Sequence, residues 1–278
     1  MKYQKQTYTE ERALYATKDA IITDCTFISE IGESPLKESQ NLAVNNCSFQ
    51  IRYPFWHDKQ IKVLNCVLEA NCRAPFWYDN FVLFKDSQIK GVKAFRESNN
   101  IEITNCQIES DEFGWFLHHV KLNDSSLASS YAFFHSTNIA IDKLDFTGKY
   151  AFQYAKDAVI TNTNFKTKDA FWHSENVTVI DSIIEGEYLG WYAKNLKLIN
   201  CTIKGTQPLC YAENVILENC KMIDADLAFE YSSVQATINS PIISVKNPLT
   251  GTIKAQAIEE IILDENRRDY DLVIEVEK

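Results

Sequence analysis

The chain has 278 residues, 45% hydrophobic and 24% charged, a balance that excludes disordered, collagen-like and low-complexity classes. Its net charge of −10 disfavours nucleic acid and anionic membrane surfaces as partners. No apolar run approaches the roughly 20 residues of a membrane helix, and residues 1–19 are too polar for a signal peptide, so a cytoplasmic protein is expected.

From the N-terminus, residues 1–12 read as a polar cap, residues 13–252 as one long repeat and residues 253–278 as capping strands, all in a single domain. The repeated phrase is Asn, alternating apolar residues, Asn or Asp, then Cys, Ser or Thr. It stands at residues 41–49, 100–108, 176–184, 195–203 and 214–222. Aligned on the Cys/Ser/Thr slot, the copies run Cys25, Cys47, Cys66, Ser87, Cys106, Ser125, Leu144, Thr163, Ser182, Cys201, Cys220 and Ser240. The spacings are 22, 19 and 21, then seven of 19, then 20. Within a copy, Ile101 and Ile103 alternate with Glu102 and Thr104, the period of a strand with one buried face. A repeat this short fits neither a propeller blade nor a helix pair, and suits one turn of a parallel β-solenoid.

Eleven of the twelve residues before the slot are Asn or Asp, and the exception is Lys143. These two residue types tolerate the left-handed conformation of a sharp corner, and their amides are expected to hydrogen-bond from coil to coil. A second phrase lies between the copies: small, aromatic, variable. It reads at residues 54–56, 75–77, 94–96, 114–116, 132–134, 151–153, 170–172, 190–192 and 228–230, with Leu209, Cys210 and Tyr211 at the matching offset. Its middle column is assigned inward. Its third column holds Lys37, Arg96, Gln153 and Glu230 among aromatics, and charge in a narrow core is costly, so it is assigned outward. The small column is assigned outward beside it, as a shallow trough. Residues 258–263 and 272–276 read as closing strands around a polar loop at 264–271.

Three strands per coil, an Asn-bearing corner and stacked aromatics resemble the right-handed parallel β-helix of the pectin-lyase-like superfamily. Phrases such as Pro54-Phe55-Trp56, with His57 following, are similar to an uncharacterised bacterial family of such helices with short coils. The resemblance covers about residues 13–242. It implies an all-β fold, a right-handed parallel β-helix wound from one chain in about 12 or 13 coils; it implies no activity.

Six of the eight cysteines occupy the inward slot, and Cys72 and Cys210 do not; all are expected as free packing thiols. His57, His135 and His173 share a column, but His135 and His173 stand two coils apart, roughly 10 Å by strand spacing, too far to share a metal. Acidic groups such as Glu109, Asp111 and Glu112, Glu185 and Glu187, and Asp224 and Asp226 scatter over several coils and match no lyase or glycosidase signature. The outward aromatic stripe carries the functional expectation. Trp56, His57, Trp77, Tyr78, Arg96, His135, Gln153, Trp172, His173, Tyr192, Tyr211 and Glu230 are the candidate ligand-binding residues. Aromatics would stack on an oligosaccharide or polysaccharide while Arg96, His135 and His173 select polar groups. The alternatives are a non-catalytic scaffold that self-associates into a homo-oligomer through the stripe, packing of the stripe under the C-terminal tail, and a carbohydrate-active lyase or hydrolase. No cofactor, metal, nucleic acid or membrane is expected.

Overall fold

The computed structural model describes residues 1–264 and 271–276, and every regular element among them is a β-strand. Two compact units, Met1–Ala140 and Ile141–Lys278, are built alike. In the first, strands Lys18–Thr23, Gln40–Asn45, Lys59–Leu64, Asn80–Lys85, Asn99–Thr104 and His118–Ser130 pair successively in parallel. The register sets like on like. Ile22, Val44, Val63, Phe84, Ile103 and Leu122 form one fully buried column. Phe27, Phe49, Leu68, Ile89, Ile108 and Leu127 form a second. The second unit repeats both, with Ile160, Val179, Leu198 and Leu217 in one column and Phe146, Phe165, Ile184, Ile203 and Met222 in the other. Each such side chain contributes about 1.5–3 kcal/mol by leaving water, and shifting any strand by one residue would turn its whole set to solvent.

The chain is thus the all-β, right-handed parallel β-helix expected, with about 14 turns at about 19-residue spacing. Residues expected to lie outside the coils take part in the stack. Lys2–Gln4 pairs with Ile21–Thr23, and Thr7–Tyr8 with Thr26–Phe27. Thr250–Ile262 pairs along Ser233–Lys246, and Leu272–Val276 pairs on Gly251–Ala255. The described residues of the C-terminal tail therefore continue the ladder rather than cover the aromatic stripe. The loop expected at 264–271 lies almost wholly outside the described residues.

The corner is built as its residues require. From Asp24 to Asn219 the column residues hold φ between 47° and 54°, Lys143 included at 53°; Asn239 is not left-handed and lies within the continuous strand Ser233–Lys246. Amides climb the column: Asn105 Nδ2 donates to Asp86 Oδ1 at 2.6 Å, Asn200 Nδ2 to Asp181 Oδ1 at 2.9 Å, and Asn219 Nδ2 to Asn200 Oδ1 at 2.8 Å. The slot after the corner needs a small group that both accepts and donates. Ser87 Oγ accepts the Cys66 N–H at 2.9 Å and donates to the Lys85 carbonyl at 2.6 Å. Cys66 does the same with sulfur, accepting from Cys47 N–H and donating to the Leu64 carbonyl, both at 3.3 Å. All eight cysteines are buried free thiols. Burial pushes the Cys72 and Cys210 thiols up to about 12 and that of Cys106 to about 11.

The third segment of the coil differs from expectation. Only Phe55–Trp56 and Phe76–Trp77 are extended there. In five other copies the central aromatic is left-handed: Phe95, Phe133, Phe152, Phe171 and Phe229, with φ between 58° and 65°. Two corrections follow. A left-handed residue breaks the strict alternation of sides, so the small column is not an outward trough: Ala94, Ala132, Ala151 and Ala170 are buried with the aromatics. The phrase at 114–116 and that at 190–192 are also shifted by one. The Gly114 N–H donates to the Ala94 carbonyl, which sets Phe113 beside Ala94 and Trp115 beside Arg96. The ring has moved one residue earlier. Phe113 packs edge-on between Phe95 and Phe133, and a Cβ on Gly114, at φ 69°, would lie 3.2 Å from the Phe133 ring. Leu189 and Gly190 make the same exchange, with a Cβ on Gly190 reaching 2.9 Å from Leu209.

Candidate functional site

The corrected register separates two outer columns. One holds Lys37, Trp56, Trp77, Arg96, Trp115 and Phe134 in the first unit, and Gln153, Trp172, Trp191, Cys210 and Glu230 in the second. The next residue along the chain gives the other, His57, Tyr78, Glu97, Phe116 and His135 in the first unit and Tyr154, His173, Tyr192, Tyr211 and Tyr231 in the second, every one of them left-handed. Tyr192, Tyr211 and Phe116 therefore belong to the second column; Trp191, Cys210 and Trp115 take their places in the first.

The first column is half-covered or buried. Trp56 stacks on Trp77 at 5.5 Å with Lys37 Nζ 3.8 Å from its ring, and Tyr53 packs against both indoles at 5.8 and 5.9 Å. Arg96 is held by Glu112 at 3.2 Å and lies 4.8 Å over Trp115. Gln153 is only 5% exposed and Glu230 9%, with Glu230 paired to Lys246 at 2.8 Å. Neither is placed to meet a ligand, which corrects two of the sequence-derived choices. Charge in this column is buried because it is partnered, a case that assigning charge outward leaves out.

The second column is the exposed one. In the second unit Tyr154, His173, Tyr192, Tyr211 and Tyr231 form an unbroken ladder, with centroids 5.0, 4.8, 5.1 and 5.9 Å apart and the first three steps within 15° of parallel. In the first unit His57 stacks on Tyr78 at 4.9 Å and Phe116 on His135 at 5.6 Å. Stacking of this kind stabilises by about 0.5–1.5 kcal/mol per pair beyond burial, which offsets the left-handed backbone. It also fixes what the column presents. Rings stacked coil on coil cover one another's faces, so the surface shows their edges: phenol oxygens and imidazole nitrogens at the coil repeat. Partial burial holds the His173 imidazole below its ordinary pKa, favouring the neutral ring, which both donates and accepts. Ion pairs run alongside, Lys156 with Glu175 at 2.7 Å and Lys194 with Glu213 at 3.1 Å. The expectation that aromatic faces would stack on sugars does not hold for the inner members of this ladder.

One column was missed from the sequence. Directly after His57 and Tyr78 lie Asp58 and Asp79, fully buried on neighbouring coils. Asp58 Oδ1 accepts the Ser39 N–H at 2.7 Å and Asp79 Oδ1 accepts the Asp58 N–H at 2.8 Å, while Asp79 N–H donates to Ser98 Oγ at 3.0 Å. Both Oδ2 atoms lack a partner among the described residues. Burial, then for Asp58 the neighbouring carboxyl, pushes both well above the usual carboxylate range. Elsewhere Ser136 and Ser232 accept the same backbone N–H with a hydroxyl.

The chain belongs to the family described as a protein of unknown function, DUF3737, which it matches over residues 1–275. No curated protein matches it. Among solved structures it is similar to the surface adhesin PfbA of Streptococcus pneumoniae, at 14% identity and TM-score 0.38 over 84% of this chain and 72% of that one. It is also similar to a mannuronan C-5 epimerase A-module of Azotobacter vinelandii, at 6% identity and TM-score 0.35 over 98% and 87%. A tailspike protein of Escherichia coli bacteriophage HK620 follows, at 10% identity and TM-score 0.34 over 93% and 59%.

Proposed function

We propose that the chain binds an extended, hydroxyl-rich ligand of carbohydrate class along its exposed ring ladder, reading it by hydrogen bonds from ring edges rather than by face stacking. The observation that carries this is the run Tyr154, His173, Tyr192, Tyr211, Tyr231, which sets polar ring edges at spacings of 4.8 to 5.9 Å along one line. A phenol hydroxyl and a neutral imidazole each donate and accept, as sugar hydroxyls do, and a polymer lying along the coils would meet the exposed hydroxyls of Tyr192 and Tyr231 on either side of Tyr211, whose own hydroxyl donates to Glu230 at 3.2 Å.

The test is a glycan array read with the wild-type chain and with the double variant Tyr192→Phe, Tyr231→Phe. Both residues are exposed and phenylalanine keeps the stack, so the variant should melt like the wild type. Loss of two ligand hydrogen bonds should weaken binding by roughly 1–3 kcal/mol. Unchanged glycan binding refutes the reading. So does a wild-type chain that binds no glycan but changes its sedimentation on this substitution, because the ladder would then be a self-association surface.

A further inference from the structure

A second line of left-handed residues begins each alternating strand. It runs Asp19, Asn41, Gln60, Phe81, Asn100, His119 and Asn138 through the first unit, with φ between 51° and 61°. Six of the seven are polar and one is Phe81. Asn41 Nδ2 donates to Asp19 Oδ1 at 2.6 Å, so the column can run an amide ladder like that at the corner. Phe81 interrupts it, and Asn100 turns to Asn80 Oδ1 at 2.9 Å instead. The phenyl ring is 56% exposed and makes no ring contact among the described residues, whereas at other left-handed sites Tyr78 stacks on His57 and the buried Phe95 on Phe76. A bulky apolar residue in this conformation is strained, and here nothing in the fold offsets the strain.

Two adjoining clefts, of about 590 and 310 Å³, meet at Phe81, Asn100 and Glu102. They run across successive coils on the outward side of these strands, and their size is that of small-ligand sites. Gln60 and Asn41 line one and Asn138 the other. Among the described residues the Gln60 amide and the side-chain carbonyls of Asn41 and Asn100 are left without an internal partner.

We propose that this cleft is a separate saccharide site, in which the C–H face of a pyranose ring lies on Phe81 and its hydroxyls bond to Gln60, Asn41 and Asn100. The chemistry selects a sugar. A single uncovered ring offers one apolar wall, not the two that would sandwich a planar base. Around it the amides of Gln60, Asn41, Asn100 and Asn138 stand among Lys62, Glu102, His119 and Lys121, a mixed set of donors and acceptors that pairs with hydroxyls. The site shares no residue with the ring ladder and stands or falls without it.

The experiment uses the full chain on the same glycan array, with Phe81→Asn as the variant and thermal melting as the check on fold. Asparagine suits the left-handed site and restores the amide column, so the variant should melt at or above the wild-type temperature. It should lose about tenfold in affinity for the glycans this site takes, and Tyr192→Phe, Tyr231→Phe should bind those glycans like the wild type. Equal glycan binding by wild type and Phe81→Asn overturns the proposal while leaving the ladder reading intact. A glycan lost by Phe81→Asn but kept by the ladder variant supports this site even where the ladder fails. Phe81-dependent binding of free nucleotides, with no glycan bound, overturns the assignment to sugars.

Discussion

Asp58 and Asp79 make a sharp demand on stability. Both carboxyls are enclosed on neighbouring coils, each spends one oxygen on a backbone N–H, and each leaves the other oxygen without a partner among the described residues. Burial raises both in the folded chain, and for Asp58 the second carboxyl adds to the shift. In the unfolded chain an aspartate titrates near pH 3.9, about its ordinary value. A group whose folded pKa is raised gives its full stabilisation below the unfolded pKa and loses it as pH rises towards the folded one. Above about pH 4 folding must therefore take up protons, and each carboxyl that stays protonated lowers stability by about 1.4 kcal/mol per pH unit. The pair lowers it by up to about 2.7 kcal/mol per unit. Serine stands at Ser39 and Ser98 on either side, so Asp58→Ser, Asp79→Ser is compatible with the column. Urea melts of wild type and variant at half-unit steps from pH 4 to pH 8 measure the difference, because every other titrating group is common to both. The variant should gain on the wild type steadily as pH rises. Curves that run parallel would show the two carboxyls ionised in the folded chain and would refute the reasoning.

Two further outcomes check the fold. Phe76 is wholly buried and stacks on Phe55 and Phe95 at 4.7 and 4.4 Å, so Phe76→Ala should cost about 3–5 kcal/mol in urea melts, and His57→Ala, exposed one coil away, should cost under about 1 kcal/mol. Asn105 is left-handed at φ 54° and donates to Asp86, so Asn105→Val should lose about 1 kcal/mol or more against Asn105→Gly in thermal melts; equal losses would mean that the amide, not the backbone, sets the residue type.

The corner and the slot were legible because their chemistry is local. A left-handed bend followed by a backbone N–H that needs a small acceptor calls for Asn or Asp and then Cys, Ser or Thr, whatever the rest of the coil does. The aromatic phrase was less legible because it was read as a strand of period two. Counting 19 residues back from 132–134 gives 113–115, and counting 19 on from 170–172 gives 189–191. The repeat length thus held the right alignment, and matching by residue type overrode it where Phe113-Gly114 and Leu189-Gly190 exchange large and small. The Asp58 and Asp79 pair shows in the sequence only as a spacing shared with Ser39 and Ser98, which by itself does not mark either carboxyl as buried.

The scarcity of glycine ties these observations to function. A coil such as 150–162 places five residues in the left-handed region, at Tyr150, Phe152, Tyr154, Asp157 and Asn162, and none of them is glycine. Each such residue costs roughly 1–2 kcal/mol unless something offsets it. Asparagine and aspartate offset it by hydrogen bonds up the column, and aromatic residues by stacking on the ring one coil away. The outer ring ladder is thus first a consequence of the winding, and the presence of aromatics on it does not by itself point to a ligand. What the winding does not require is informative. It does not require the ring edges to be phenols and imidazole, since phenylalanine stacks as well, as Phe116 does on His135. Nor does it require an unstacked phenyl at Phe81. The functional readings rest on those two departures, and the Tyr→Phe and Phe81→Asn substitutions remove each departure while leaving the winding in place.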